Sequence, residues 1–289
     1  MRTLSDIRPS PIAGQWYSDS PALLAKSVDA YLAAAQLPPL AGQVVAVIAP
    51  HAGHIYSGPV AGYAFRAVQG LKFDLAVVIS PLHQYAAQPL LTSAHKAYAT
   101  PLGAVMIDAQ VVTELDAALK ETLGYGLLAA AYDREHSLEI ELPFLQRALA
   151  GEFKLLPVMV RDPSPEVTHP LGLALAKVLR GKSALLVAST DLSHFYSERE
   201  AERLDSAMLE QIAAFSPEGV YAAEATGKGY ACGLGAVMAV LWAARELGAD
   251  HVEVLHHATS GAVTGDYASV VGYGAAVITR TIPALVVHL

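Results

Sequence analysis

Cysteine is nearly absent from this sequence: Cys232 is the only one among 289 residues. No intramolecular disulfide can form, the usage expected of a reducing compartment, and the thiol is left free. Charge is also scarce, at 16% of residues against 53% hydrophobic ones. That balance excludes a disordered chain and predicts a deep core. The formal net charge is -8 and the basic residues are scattered (Arg161, Arg180, Lys182, Arg199, Arg203), so no nucleic-acid partner is expected. The longest uncharged stretch in a helical context, residues 229–244, is too short to span a bilayer comfortably and reads as a buried helix. Residues 1–10 lack the apolar run of a signal peptide, so a soluble, cytoplasmic protein without a membrane partner is expected. Three catalytic signatures are missing: the G-x-x-x-x-G-K-[ST] loop, H-E-x-x-H and G-x-S-x-G. Gly233-Leu234-Gly235 is only a fragment of a dinucleotide fingerprint, with no strand directly before it.

What is present is a succession of short β-branched runs, at 44–49, 75–80, 155–160, 184–188, 252–256 and 269–278. Most are apolar without alternation, as expected of central strands covered on both faces. Helical patterns separate them at 21–35 (after Ser20 as a cap), 109–121, 135–149, 165–179 (interrupted by Pro170), 198–214 and 232–247. This order predicts an α/β fold: a single-domain three-layer sandwich in which a mixed, mostly parallel β-sheet is flanked by helices. One domain is expected over 1–289. The turn clusters at 163–165 and 216–219 read as loops.

Three of the apolar runs lead into a histidine. Residues 44–49 and Pro50 precede His51, residues 75–80 and Pro81-Leu82 precede His83, and residues 185–190 lead through Asp191-Leu192-Ser193 to His194. In open α/β sheets the ligand crevice lies beyond the carboxyl ends of the strands. One histidine after a strand is an ordinary loop residue, but three in the same topological position point to a shared site. Cys232 opens a predicted helix, where the dipole and free N–H groups favour the metal-binding thiolate. Taken alone, it also reads as a small buried apolar residue. His136 and Glu139 sit three apart on a predicted helix and share a face, as a site-lining pair or as a capping or surface arrangement. His54 completes a weak H-x-x-H with His51.

The segment Pro50-His51-Ala52-Gly53-His54-Ile55-Tyr56-Ser57-Gly58-Pro59 resembles the P-H-A-G-Y-x-Y-S-G-P hallmark of Memo-like proteins, which include the "AmmeMemoRadiSam system protein B" group. The resemblance extends in order through Ala13-Gly14-Gln15-Trp16-Tyr17, Glu135-His136-Ser137-Leu138-Glu139, Thr190-Asp191-Leu192-Ser193-His194, Ala231-Cys232-Gly233 and Gly265-Asp266-Tyr267. It covers essentially the whole chain. It implies a fold similar to that of class III extradiol ring-cleavage dioxygenases, with a metal held by His51, His83 and Cys232. It also implies that Asp191 and His194 line the site, His194 as the acid–base residue. It further implies AMMECR1-like and radical-SAM proteins as partners by family association. Two positions depart from the pattern: His54 replaces a tyrosine, and Leu82 replaces a small polar residue beside His83.

Two imidazoles and one anionic ligand leave open positions on an octahedral ion, the logic of oxygen-activating Fe(II) sites. The expected function is that of a mononuclear non-haem metal protein, an iron-dependent oxidoreductase resembling a dioxygenase and acting on a small substrate, phenols included. Copper and zinc are the alternative ions. A metal- or peptide-binding regulatory protein without turnover is the second reading. A zinc-dependent hydrolase, with Glu139 as the base to test, is the third.

Overall fold

The parallel centre of the sheet follows from runs that are apolar on both faces. In the computed structural model, which describes residues 5–281, side chains of these strands alternate between two hydrophobic clusters. Val77, Ile79, Leu156, Val158 and Leu186 face one; Ala76, Val78, Leu155, Met159 and Val187 face the other. Burial on both sides removes the polar half of an ordinary strand pattern. The expectation of no leader falls on residues 1–10, of which 1–4 lie outside the described residues.

In chain order the strands are β1 (Ile7–Arg8), β2 (Gln43–Ala49), β3 (Leu75–Pro81), β4 (Leu90–Ser93), β5 (Ala97–Thr100), β6 (Gly103–Met106), β7 (Leu128–Ala130), β8 (Lys154–Val160), β9 (Ala184–Ser189), β10 (His194–Tyr196), β11 (His251–Thr259) and β12 (Val270–Arg280). The helices are α1 (Pro21–Ala34), α2 (His54–Arg66), α3 (Ala109–Leu123), α4 (Leu142–Ala148), α5 (Pro165–Leu179), α6 (Glu198–Ala213), α7 (Pro217–Ala225), α8 (Leu234–Glu246) and α9 (Gly261–Thr264). A 3-10 turn, Glu139–Glu141, precedes α4.

The large sheet runs β10-β12-β2-β9-β3-β8-β4-β7, with β11 beside β12. Its centre, β2-β9-β3-β8, is parallel, and β10, β12 and β11 extend it antiparallel. Helices α3, α5, α6, α7 and α8 pack on one face. Helices α1, α2 and α4 pack on the other, together with the small sheet β1-β5-β6. The fold is therefore the expected α/β three-layer sandwich. Strands β2, β9 and β3, which lead into His51, His194 and His83, are parallel neighbours with β9 in the middle.

Three local expectations change. The helix expected over 135–149 is a 3-10 turn followed by α4, so His136 precedes the helical segment and does not share a helix face with Glu139. Its carbonyl accepts instead from Ile140 N at 3.0 Å. Residues 216–219 begin α7: the Ser216 hydroxyl accepts from Gly219 N at 2.9 Å and caps it. Cys232 lies one residue before the Gly233 cap of α8. No helix among the described residues is long and apolar enough to cross a membrane.

Candidate metal centre

Beyond the ends of β2 and β3, three imidazoles meet. His51, His83 and His136 each offer a ligand atom, and these atoms all lie within 4.8 Å of one another. His83 and His136 stack at 4.8 Å and 15°, and His51 stands edge-on to both at 5.4 and 5.5 Å. Trp16 packs on His136 at 4.1 Å. Cys232 Sγ lies 3.1 Å from His51 Nε2. The loop entering α8 carries the sulfur there, because Cys232 N donates to the Asp191 carbonyl at 3.2 Å and Gly233 N donates to Thr190 Oγ1 at 2.9 Å. Imidazole nitrogen with sulfur is the donor set of ions such as zinc, copper and iron. The cluster can hold a metal ion.

The rings are held by partners distant in sequence. His83 Nδ1 contacts Glu135 Oε1 at 2.9 Å, and His83 N donates to Oε2 at 2.6 Å. A carboxylate can only accept, so His83 carries its proton on Nδ1 and presents Nε2. His51 Nδ1 contacts the Ser189 hydroxyl at 2.9 Å, which likewise leaves Nε2 for the centre. Asp191 Oδ1 accepts from His51 N at 2.7 Å and Ala52 N at 3.3 Å, fixing the turn that carries His51.

Electrostatics divide the cluster. Burial drives His51 well below the ordinary histidine range, helped by its neighbours His136 and His83, and burial takes His136 down to about 4. His83 goes the other way because of its hydrogen bond to Glu135. Burial acts to raise Glu135, but the hydrogen bond and charge of His83 prevail and hold it far below the usual carboxylate range. Burial pushes Asp191 up to about 7. Burial, reinforced by Asp191, also pushes Cys232 well up. Burial thus opposes the helix-terminus preference for the thiolate at Cys232.

The remaining expected residues take other places. His194 Nδ1 bonds the Leu192 carbonyl at 2.8 Å, with Phe195 and Tyr230 against its ring at 5.7 and 5.9 Å. Glu139 lies in a buried knot: Oε2 accepts from Arg8 Nη1 at 2.5 Å, and Oε1 from Ser10 Oγ at 2.5 Å and Tyr17 OH at 2.6 Å. With both oxygens engaged, it is not poised as a base. His54 opens α2 and is buried between Tyr17 and Phe144, its Nε2 on the Ile140 carbonyl at 3.1 Å. Leu82 is buried in the hydrophobic cluster on the α1–α2–α4 face. Sequence reasoning missed Glu135, Ser189 and Glu141. A glutamate directly before His136 was a signal for the first; nothing local marks the other two.

The family model described as "Memo-like protein" matches residues 8–277. A MEMO1 family protein of Methanothermobacter thermautotrophicus is 35% identical over 277 residues, covering 92% of this chain and 98% of the relative. Another, of Thermotoga maritima, is 35% identical over 238 residues, covering 81% and 82%. One of Nitrosopumilus maritimus is 34% identical over 232 residues, covering 80% and 83%. The span of the family model includes His51, His83, His136 and Cys232, and the chain belongs to the Memo-like family.

Proposed function

We propose that this chain is a mononuclear non-haem metal protein that binds iron and acts as a dioxygenase-like oxidoreductase on a small aromatic substrate such as a phenol. The supporting observation is that the ligand atoms of His51, His83 and His136 lie within 4.8 Å of one another, with Cys232 Sγ 3.1 Å from His51 Nε2. Nδ1 of His51 and of His83 is already engaged. His51, His83 and Cys232 would hold the ion, with His136 beside them; copper and zinc suit the same donors. A ferrous ion there would bring dioxygen and substrate together and pass electrons between them.

His194 is the acid–base residue of this reading. Its Nδ1–H is fixed on the Leu192 carbonyl, so Nε2 carries the lone pair. Burial lowers its pKa, so the neutral ring can take the hydroxyl proton of a phenol and return it. Phe195 is 75% exposed, and its backbone is in the left-handed region with φ 65. Such a conformation costs on the order of 1–3 kcal/mol and gathers at ligand sites. Phe195 and Tyr230 offer faces that suit a planar aromatic ring beside His194.

The second reading, a metal- or peptide-binding protein without turnover, is favoured by Cys232 itself, because a thiol at an oxygen-activating centre is open to oxidation. Reconstitution with Fe(II) without oxygen, followed by oxygen uptake with a panel of catechols, separates the two. The wild type is expected to consume oxygen, and His194→Ala to keep its iron but not turn over. Silence of a fully loaded wild type would sink the enzymatic reading, and loss of iron in His194→Ala would make His194 a ligand.

A further inference from the structure

Ser189, at the end of β9, has three polar neighbours around one hydroxyl. The Ser137 carbonyl lies 2.7 Å from its Oγ, Glu141 Oε1 2.7 Å, and His51 Nδ1 2.9 Å. A carbonyl can only accept, so the single hydroxyl proton goes to Ser137, and Ser189 Oγ must accept from the other two. The opposite assignment gives the proton to Glu141 as a carboxylate. It leaves the Ser189 and Ser137 oxygens 2.7 Å apart with no proton between them. It also puts an ionised carboxylate where Glu141 is fully buried and its Oε2 has no hydrogen-bond partner. A charge in that setting is far costlier than the under-satisfied carbonyl oxygen of an acid. Burial drives the Glu141 carboxyl well above its ordinary range, in the same direction.

We propose that Glu141 is a positioning residue in the form of a neutral carboxylic acid. Its Oε1–H donates to Ser189 Oγ and leaves the serine's own proton on the Ser137 carbonyl, so that Ser189 accepts from His51 as the Nδ1–H tautomer with Nε2 turned to Cys232. The two anchored imidazoles are then backed differently: His83 leans on the anionic Glu135, and His51 on an uncharged relay. The cluster gains one tautomer lock without gaining a second buried negative charge. The consequence for ligand strength rests on the reading of the cluster as a metal centre; the tautomer and the protonation state do not.

The test begins on metal-free protein, with nitrogen-15 NMR of the His51 ring and infrared spectroscopy of the carboxyl carbonyl. At neutral pH the wild type is expected to show a proton on His51 Nδ1 and a protonated-acid band that disappears in Glu141→Gln. Glutamine places an amide N–H where the acid had its O–H, so Glu141→Gln keeps the tautomer, and its affinity for Co(II) stays within about threefold. Glu141→Met removes the donor but leaves the Ser189 proton on the Ser137 carbonyl, so it is expected to lose the acid band and to keep the His51 tautomer. A wild type without the acid band, or a Glu141→Gln variant that loses the tautomer, would overturn the proposal. If Glu141→Met does not fold, the infrared band and the glutamine variant decide alone. If the wild type binds no metal, the proposed function fails while these two readouts still judge Glu141.

Discussion

The Glu135 carboxylate collects the His83 backbone and ring N–H groups, the His136 and Ser137 backbone N–H groups and the Ser137 hydroxyl. A glutamine would bring donors where only acceptors fit. Glu135→Gln is therefore expected to release the His83 tautomer and weaken metal binding by about 10–100-fold, read by competition with a chelator. Unchanged affinity would remove Glu135 from the centre. His54 makes a different prediction. Burial takes it from 6.5 in the unfolded chain down to about 4. The unfolded state therefore binds more protons below pH 6.5, and stability is lost as pH falls through that window. Between pH 7 and pH 5 the loss is about 2 kcal/mol for this one group. Urea unfolding at the two values should show His54→Phe losing that much less than the wild type; equal losses would refute it.

At the scale of elements, docking of α8 on β9 places the sulfur. A Cβ on Gly233 would lie 2.2 Å from the Ser189 carbonyl oxygen and 2.6 Å from Thr190 Cβ. Gly233→Ala is therefore expected to push the start of α8 off β9, carry Cys232 away from His51 and destabilise the fold by about 1–3 kcal/mol. The sulfur-to-metal absorption band of the Co(II) form should vanish with it; a retained band would show that the loop absorbs the methyl. Elements differ in how far they could be read in advance. Strands β2, β3, β8 and β9 were legible because both their faces are apolar, and α5 was found from Pro165 to Leu179 despite Pro170. The short strands β1, β4, β5, β6, β7 and β10 were not, since two to four residues carry no period and pair only because a partner is presented. Helix α2 was hidden because its start, His54-Ile55-Tyr56-Ser57-Gly58-Pro59, reads as a turn-rich motif.

Across the whole molecule, Arg8 ties the first strand to the loop that carries Glu135 and His136. It is fully buried, bonding Glu139 through Nη1, Asp133 through Nε and Nη2, and the Glu135 carbonyl through Nη2. Arg8→Met strips Glu139 of its cation in the core, where the carboxyl must either stay charged or take up a proton, and is expected to cost about 3–5 kcal/mol in urea unfolding. Adding Glu139→Gln should restore part of that loss, because no buried acid at 139 is then left without its cation. A single variant as stable as the wild type would mean that the knot contributes nothing.

The sequence by itself determined the apolar runs that end shortly before His51, His83 and His194, because strands covered on both faces carry no polar alternation; the tertiary structure made those strands parallel neighbours and set His136 beside His51 and His83. Only the tertiary structure decided which carboxylates serve the cluster. Glu135, Glu139 and Glu141 lie within one short stretch, yet the first holds His83, the second pairs with Arg8, and the third meets Ser189. Their directions depend on an irregular turn and on partners dozens of residues away, and no local pattern encodes contacts of that range.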